Sequence, residues 1–118
     1  RDAVILKEDF EKAGCRVILC TDDGSAGFRG LVTEPLRKVL EEPKDVVLAC
    51  GPGPMLKGVA EEAEARGVPC QISLEERMGC GVGACLVCAC KIKKADGEEA
   101  YLHVCKDGPV FNAEEVVF

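Results

Sequence analysis

Nine cysteines in a chain of 118 residues constrain this sequence more than any other feature. The count is odd and no secretory signal is recognised at the first residues, so a disulfide framework fits poorly. Metal or redox chemistry in the cytoplasm fits better. The chain has a single histidine, His103. A zinc finger built from paired cysteines and paired histidines and a Rieske iron–sulfur centre each need two histidine ligands, so both are excluded.

Four of the cysteines have the spacing of a cluster-binding loop. Cys80, Cys85 and Cys88 form a C-x4-C-x2-C pattern, and Cys105 follows after sixteen further residues. This is the plant-type 2Fe–2S spacing, in which four thiolates hold two irons bridged by two sulfides. Small residues between the cysteines let the backbone wrap closely around an inorganic core and leave N–H groups free to face sulfur. The pattern predicts four metal ligands, the last supplied by the second strand of a hairpin.

Other interpretations of the cysteines stay open. One zinc ion could bind the same four thiolates, although zinc sites prefer paired C-x2-C units and only Cys85 and Cys88 form one. Cys90 is interpreted as a thiol of the apolar core that binds no metal, and the alternative is that it serves as a metal ligand. His103 is expected to be a solvated strand residue. Three further cysteines are expected to be buried small apolar residues: Cys15, Cys20 and Cys70.

Residues 1–74 alternate between helical and strand patterns, which predicts an α/β lobe with parallel strands. Apolar runs of strand length are bounded by Gly-rich and Asp-rich turns, and segments of helical periodicity separate them. The helices are expected at 3–13, 31–40 and 54–66, and the strands at 15–20, 45–50 and 70–74.

The character of the sequence changes after residue 75. Strand-like runs at 87–93 and 100–105 flank Asp96-Gly97, a strong hairpin signal. The chain is therefore expected to divide into a nucleotide-binding lobe at 1–74 and a cluster-binding hairpin module at 75–118.

Two loops follow predicted strands at their carboxyl ends, where open parallel sheets bind ligands. From the residues alone each loop is a weak signal for ligand binding, because the first also fits a plain strand-exit turn and the second a plain loop-to-helix junction. The first loop comprises Thr21, Asp22, Asp23, Gly24 and Ser25, and the second comprises Cys50, Gly51, Pro52, Gly53, Pro54 and Met55.

The composition and the length of the apolar runs argue against two classes of partner, nucleic acid and a lipid bilayer. The formal charge is −6, there is no Trp, and aromatic residues make up 4% of the chain, which argues against binding nucleic acid. The longest apolar runs, such as residues 46–50, are far too short to span a bilayer.

These motifs converge on one family. TDDGSAGFRGLVTEPL at 21–36 and ACGPGPML at 49–56 resemble the second half of the NAD(P)-binding domain of ferredoxin–NADP reductase-like proteins. Joined to CQISLEERMGCGVGACLVCACKI at 70–92 and HVCKDGPVF at 103–111, they make the chain resemble the C-terminal part of the electron transfer subunits of bacterial class B dihydroorotate dehydrogenases.

The resemblance implies a role for each motif. Cys80, Cys85, Cys88 and Cys105 would hold the 2Fe–2S cluster. The loop 21–25 would line the NAD pocket, and the loop 50–55 would lie near the nicotinamide. Electrons would pass between NAD and dihydroorotate through FAD and the cluster, in pyrimidine biosynthesis. The implied partner is an FMN-containing catalytic subunit, in a heterotetramer.

Departures from the family pattern limit what this chain does alone. The flavin-binding β-barrel and the Gly-rich turn of the first nucleotide-domain strand have no counterpart, and Arg1-Asp2 resembles the exit of the second strand. The NAD site is therefore expected to be incomplete. The strands at 15–20 and 45–50 would have open edges or pair with another chain. Without FAD the chain should not be competent, and no catalytic residue is assigned.

Two rival functions stay open. One is the small subunit of an NADH-dependent ferredoxin–NADP oxidoreductase or a hydrogenase gamma subunit, relatives that often carry Asp where Cys80 stands. The other, of a different class, is a zinc-binding scaffold module.

Overall fold

The computed structural model describes residues 3–118 and divides into two compact units, one ending at Val39 and the other running from Leu40 to Phe118. The interpretation of Arg1-Asp2 as a strand exit lies outside the described residues. None of the helices formed by residues 3–118 has the length and apolar character needed to cross a membrane.

The first unit contains short elements. They are α1 (Lys7–Lys12), β1 (Cys20–Thr21), β2 (Phe28–Arg29) and α2 (Thr33–Val39), with β1 and β2 paired in parallel. The strand predicted at 15–20 is wrong in extent, because only Cys20 and Thr21 align with a partner strand. Cys15 is exposed rather than buried, so its prediction as a core residue is also wrong.

A mixed three-stranded sheet organises the second unit. β3 (Val47–Cys50) pairs in parallel with β4 (Cys70–Ser73), and β7 (Val110–Asn112) adds antiparallel to β4. The parallel pair joined by a helix confirms the predicted strand–helix–strand unit. At its centre Ile72 is fully buried and lies opposite Phe111, which anchors the end of the chain to the sheet.

The connecting helix, α3 (Gly53–Glu64), begins and ends where its sequence indicates. Pro54 occupies the first turn, where a missing N–H costs nothing, and Gly67 has a positive φ of 64° just beyond the end. The buried residues Leu56, Val59 and Ala63 have helical spacing and form its inner face.

A two-stranded hairpin follows, formed by β5 (Ala89–Lys93) and β6 (Glu99–His103). The predicted turn is confirmed, since the Gly97 N–H donates to the Lys94 carbonyl at 2.9 Å. The second strand stops before Cys105, and a single helical turn, α4 (Val104–Asp107), comes next. A short 3₁₀ helix follows β7.

One apolar core joins the hairpin to the end of the chain. Its buried residues are Cys88, Cys90, Ile92, Val104 and Phe111. The predicted boundary between residues 74 and 75 therefore falls inside the second unit, where β4 and β7 are hydrogen-bonded to each other. The assignment of separate roles to 1–74 and 75–118 stays a prediction.

Candidate metal centre

The loop between Cys80 and Cys85 wraps around one sulfur atom. Backbone N–H groups of Val82, Ala84 and Cys85 donate to Cys80 Sγ at 3.4, 3.2 and 3.4 Å. These hydrogen bonds, that of Val82 first, lower the pKa of the Cys80 thiol to about 6. A thiol with this pKa is mainly thiolate at neutral pH, the form that binds metal.

Two glycines give the loop its path. Gly81 and Gly83 have positive φ angles of 71° and 78°, which side chains rarely adopt. Gly79 also allows a close approach, since a Cβ there would lie 3.0 Å from Cys85 Sγ. The small residues of the loop therefore allow the backbone to approach sulfur closely.

The four predicted ligands are arranged as two neighbouring pairs. Cys85 lies near enough to Cys80 to help lower the pKa of the Cys80 thiol, and Cys88 lies near enough to Cys105 to raise the pKa of the Cys105 thiol. The contact with Cys88, followed by burial, raises the pKa of the Cys105 thiol, while the Gly83 N–H opposes the rise. Cys80 and Cys85 are also close in sequence, whereas the fold brings Cys88 and Cys105 together from distant parts of the sequence.

The element that carries Cys105 differs from the prediction. This cysteine lies on α4 and not on the second strand of the hairpin. The Asp107 carboxylate stabilises this turn by accepting the backbone N–H of His103, the residue before α4, at 2.8 Å. The helical turn directs Cys105 back toward Cys88, whose carbonyl accepts the Val104 N–H at 3.0 Å.

The residues present fit a sulfur-ligated cluster. The four cysteines offer four thiolate ligands, and the backbone N–H donors suit a negatively charged, sulfur-rich core. Within residues 3–118, no three or more His, Cys, Asp or Glu side chains are grouped closely enough to hold a metal ion as they stand.

Two further residues near the cysteine loop, Cys90 and His103, are partly or fully buried. Cys90 is 8% exposed in the apolar core, and burial, the largest cause, raises the pKa of its thiol. This position agrees with the reading of a core thiol. His103 is less solvated than predicted, because its Nε2 is inaccessible and has no hydrogen-bond partner in the described chain. Its Nδ1 lies 3.7 Å from an Asp107 carboxylate oxygen.

The predicted nucleotide loop at 21–25 is a self-contained turn. Thr21 Oγ1 donates to the Ala26 carbonyl at 2.9 Å and accepts the Ala26 N–H at 3.2 Å. The Asp23 carboxylate accepts the Ser25 N–H at 2.9 Å, which lowers the pKa of Asp23. The side chain of Asp22 is exposed.

The loop at 50–55 borders a cavity of about 730 Å³ in the second unit. Gly51 has a φ of 155°, and a Cβ there would lie 2.7 Å from Met55 Cε, so Met55 folds back over the glycine. Facing walls come from Leu74–Glu76, from Ala89–Lys91 and from the chain end at Val116–Phe118. The cavity therefore lies between this loop and the strand that leaves the cysteine loop.

Sequence reasoning missed the position of Lys106. Its side chain lies against Gly83, in the middle of the cysteine loop. The available signal was its position directly after Cys105, but only the helical turn of α4 shows which way it extends.

Comparison with known proteins identifies relatives of both halves of the chain. Residues 75–117 match the family described as the iron–sulfur cluster binding domain of dihydroorotate dehydrogenase B. Over 113 residues the chain is 51% identical to a dihydroorotate dehydrogenase B (NAD(+)) electron transfer subunit of Caldanaerobacter subterraneus subsp. tengcongensis, covering 96% of this chain and 44% of the relative. A probable subunit of the same description from Methanocaldococcus jannaschii is 40% identical, with 100% and 43% covered.

A solved structure shares the fold. It belongs to a study of flavin-based electron bifurcation through an NADH-dependent reduced ferredoxin–NADP oxidoreductase. The TM-score is 0.78 at 34% identity, covering 99% of this chain and 41% of the other. The chain thus spans less than half the length of the relatives that it matches.

Proposed function

We propose that this chain relays electrons in dihydroorotate dehydrogenase B, because residues 75–117 match the iron–sulfur cluster binding domain of that enzyme and the chain is similar to part of its electron transfer subunit. The relay runs between NAD(H) and a dihydroorotate-oxidising catalytic subunit that contains FMN. In this chain the redox centre of the relay is a 2Fe–2S cluster, bound by Cys80, Cys85, Cys88 and Cys105.

The arrangement of the cysteines as two pairs carries the proposal. One pair, Cys80 and Cys85, is held by the N–H-rich loop, and the other, Cys88 and Cys105, is fixed to the apolar core through the buried Cys88. An electron carrier needs ligands that move little when its charge changes. The core supplies that rigidity on one side, and the backbone donors stabilise negative charge on the other.

A flavin has to stand between NADH and the cluster. NADH gives up two electrons together as hydride, whereas a 2Fe–2S cluster accepts one at a time. The proposal therefore includes FAD, bound in the full-length protein by regions additional to this chain. The cavity beside the loop 50–55 supports this order of stations, because its far wall is the strand that continues from Cys88.

NAD contacts are proposed for both predicted loops. Gly51 and Gly53 leave room for a ring close to the backbone, and the N-terminus of α3 favours an anionic group. In the loop 21–25, the exposed Asp22 would accept hydrogen bonds from ribose hydroxyls. The hydroxyl of Thr21 is already used within the turn.

The proposed partner surface surrounds the cysteine loop. Val82 is 74% exposed and Leu86 is 77% exposed, although both are apolar, and Met78 is 52% exposed. Covering such residues with a partner removes apolar surface from water. We propose that the FMN subunit binds here, in a heterotetramer, which would also bring its flavin close to the cluster.

An electron-transfer assay tests this function in the full-length protein. The protein is mixed anaerobically with a dihydroorotate-oxidising FMN subunit, and dihydroorotate is added while the visible absorption of the cluster is followed. We expect bleaching of the cluster and then formation of NADH after NAD is added. Bleaching by reduced ferredoxin alone, with no response to dihydroorotate, would reject the proposal.

The rival function has one observation in its favour. The solved structure with a TM-score of 0.78 is that of an NADH-dependent reduced ferredoxin–NADP oxidoreductase. The same assay separates the two functions, because a subunit of such an enzyme would exchange electrons with ferredoxin. The complete cysteine set, including Cys80, favours the dihydroorotate system.

A further inference from the structure

Lys106 covers the middle of the cysteine loop. A Cβ built on Gly83 would lie 2.7 Å from Lys106 Cδ, 3.1 Å from its Cβ and 3.3 Å from its Cγ. The aliphatic stem of the lysine therefore lies directly against the glycine backbone. Gly83 in turn directs its N–H toward Cys105, the residue next to the lysine.

The charge of Lys106 is not neutralised by the described chain. No carboxylate of residues 3–118 lies within ion-pair distance of its Nζ, whereas Lys91 on β5 is paired with Glu99. The chain as a whole is acidic, with a formal charge of −6, and Asp107 is the next residue. Lys106 therefore brings a positive charge, without an ion-pair partner in residues 3–118, to the segment that packs on the cysteine loop of an acidic chain.

We propose that Lys106 is a positioning residue of the cluster, whose stem holds the loop at Gly83 and whose charge raises the reduction potential. The inference rests on the proposed cluster. A 2Fe–2S core on four thiolates is already anionic, and reduction adds one further negative charge. A nearby cation stabilises the reduced form more than the oxidised form, because it interacts with the larger charge.

The test compares three variants in the full-length, cluster-loaded protein. Lys106→Met keeps most of the stem and removes the charge, and Lys106→Arg keeps the charge. Lys94→Met, in the exposed hairpin turn, is the matched control. The reduction potential is measured by dye-mediated titration with the visible spectrum as readout.

We expect Lys106→Met to lower the equilibrium constant for cluster reduction about two- to tenfold, a shift of about 18–59 mV for a one-electron couple. The arginine variant and the control should keep the wild-type potential. The difference should shrink as salt is raised, because an exposed charge is screened. A potential unchanged in Lys106→Met, or equally lowered in Lys106→Arg, would overturn the charge role.

The stem has its own readout. Lys106→Ala should lose iron to a chelator faster than Lys106→Met, because alanine lacks the stem that packs on Gly83. Equal rates would overturn the role of the stem in holding the loop. If Lys106→Met does not hold the cluster, Lys106→Gln takes its place, and loss in both neutral variants but not in Lys106→Arg would support the need for charge. A wild-type protein without a 2Fe–2S spectrum would instead defeat the proposed function itself.

Discussion

At the scale of single residues, the site depends on backbone atoms as much as on cysteines. Three N–H groups point at Cys80 Sγ, and the Gly83 N–H points at Cys105. The spacing of the cysteines predicts four ligands, which stays a prediction, and the glycines predicted the close backbone approach that the loop shows. Neither signal could reveal the pairing of Cys88 with Cys105, because that depends on a helical turn formed through Asp107.

Replacing one ligand should remove the cluster. We expect Cys85→Ser to lose iron and visible colour, because a serine oxygen is a poor substitute for a soft thiolate and such loops fold with their metal. Cys15→Ser is the control and should keep both, since Cys15 is exposed in the other unit. Iron analysis and visible spectra decide. Full iron in Cys85→Ser together with iron loss in Cys90→Ser would show that the ligand set is wrong.

Two glycines of the same loop should differ in their tolerance of alanine. Gly81→Ala meets open space, so its cost is the positive-φ strain alone, about 1–2 kcal/mol. Gly83→Ala has the same strain and also forces the Lys106 stem away. We therefore expect faster iron loss to a chelator in Gly83→Ala than in Gly81→Ala. Equal rates in the two variants would contradict the observed packing.

At the scale of elements, the second unit was the more predictable. The strand–helix–strand at β3, α3 and β4 and the hairpin of β5 and β6 agree with the sequence within a few residues. Their signals are local: apolar runs of strand length, Pro54 and Gly67 at the ends of a helix, and Asp-Gly at a turn. The strand expected at 15–20 needed a neighbour, and a sequence pattern does not show which edges are paired.

The inner face of α3 should dominate the stability of its unit. Leu56 is 1% exposed, and Leu56→Ala should cost about 2–5 kcal/mol by loss of buried contacts and cavity formation. The matched control is Leu48→Ala on β3, where Leu48 is 71% exposed and the cost should stay within about 0.5 kcal/mol. Urea unfolding of both variants measures the difference, and similar midpoints would refute the assigned core.

At the scale of the whole molecule, the chain combines an α/β sheet with a cluster-binding hairpin in one unit. β7 pairs with β4, and Val117 donates its N–H to the Lys91 carbonyl at 3.0 Å, so the chain end joins the sheet to the hairpin. The described residues up to Val39 form the other unit. The sequence could not show these contacts between β4, β5 and the chain end, because contacts between distant residues leave no local signal.

Removal of iron should loosen one region and spare another. Chelation under reducing conditions should raise amide hydrogen exchange in residues 79–88, whose N–H groups and glycines are organised around sulfur. Exchange in β3, α3 and β4 should change little, because their hydrogen bonds and buried side chains do not involve the loop. A uniform rise across residues 40–118 would show that the cluster supports the entire unit.

Metal and sulfide analysis combined with electron paramagnetic resonance tests the central claim most directly. The full-length protein is purified without oxygen, and its iron, acid-labile sulfide and zinc are measured per chain before and after one-electron reduction. The account predicts two irons and two sulfides per chain, as in any 2Fe–2S centre, with a paramagnetic signal only in the reduced state. One zinc per chain on these cysteines, with neither sulfide nor signal, would contradict it.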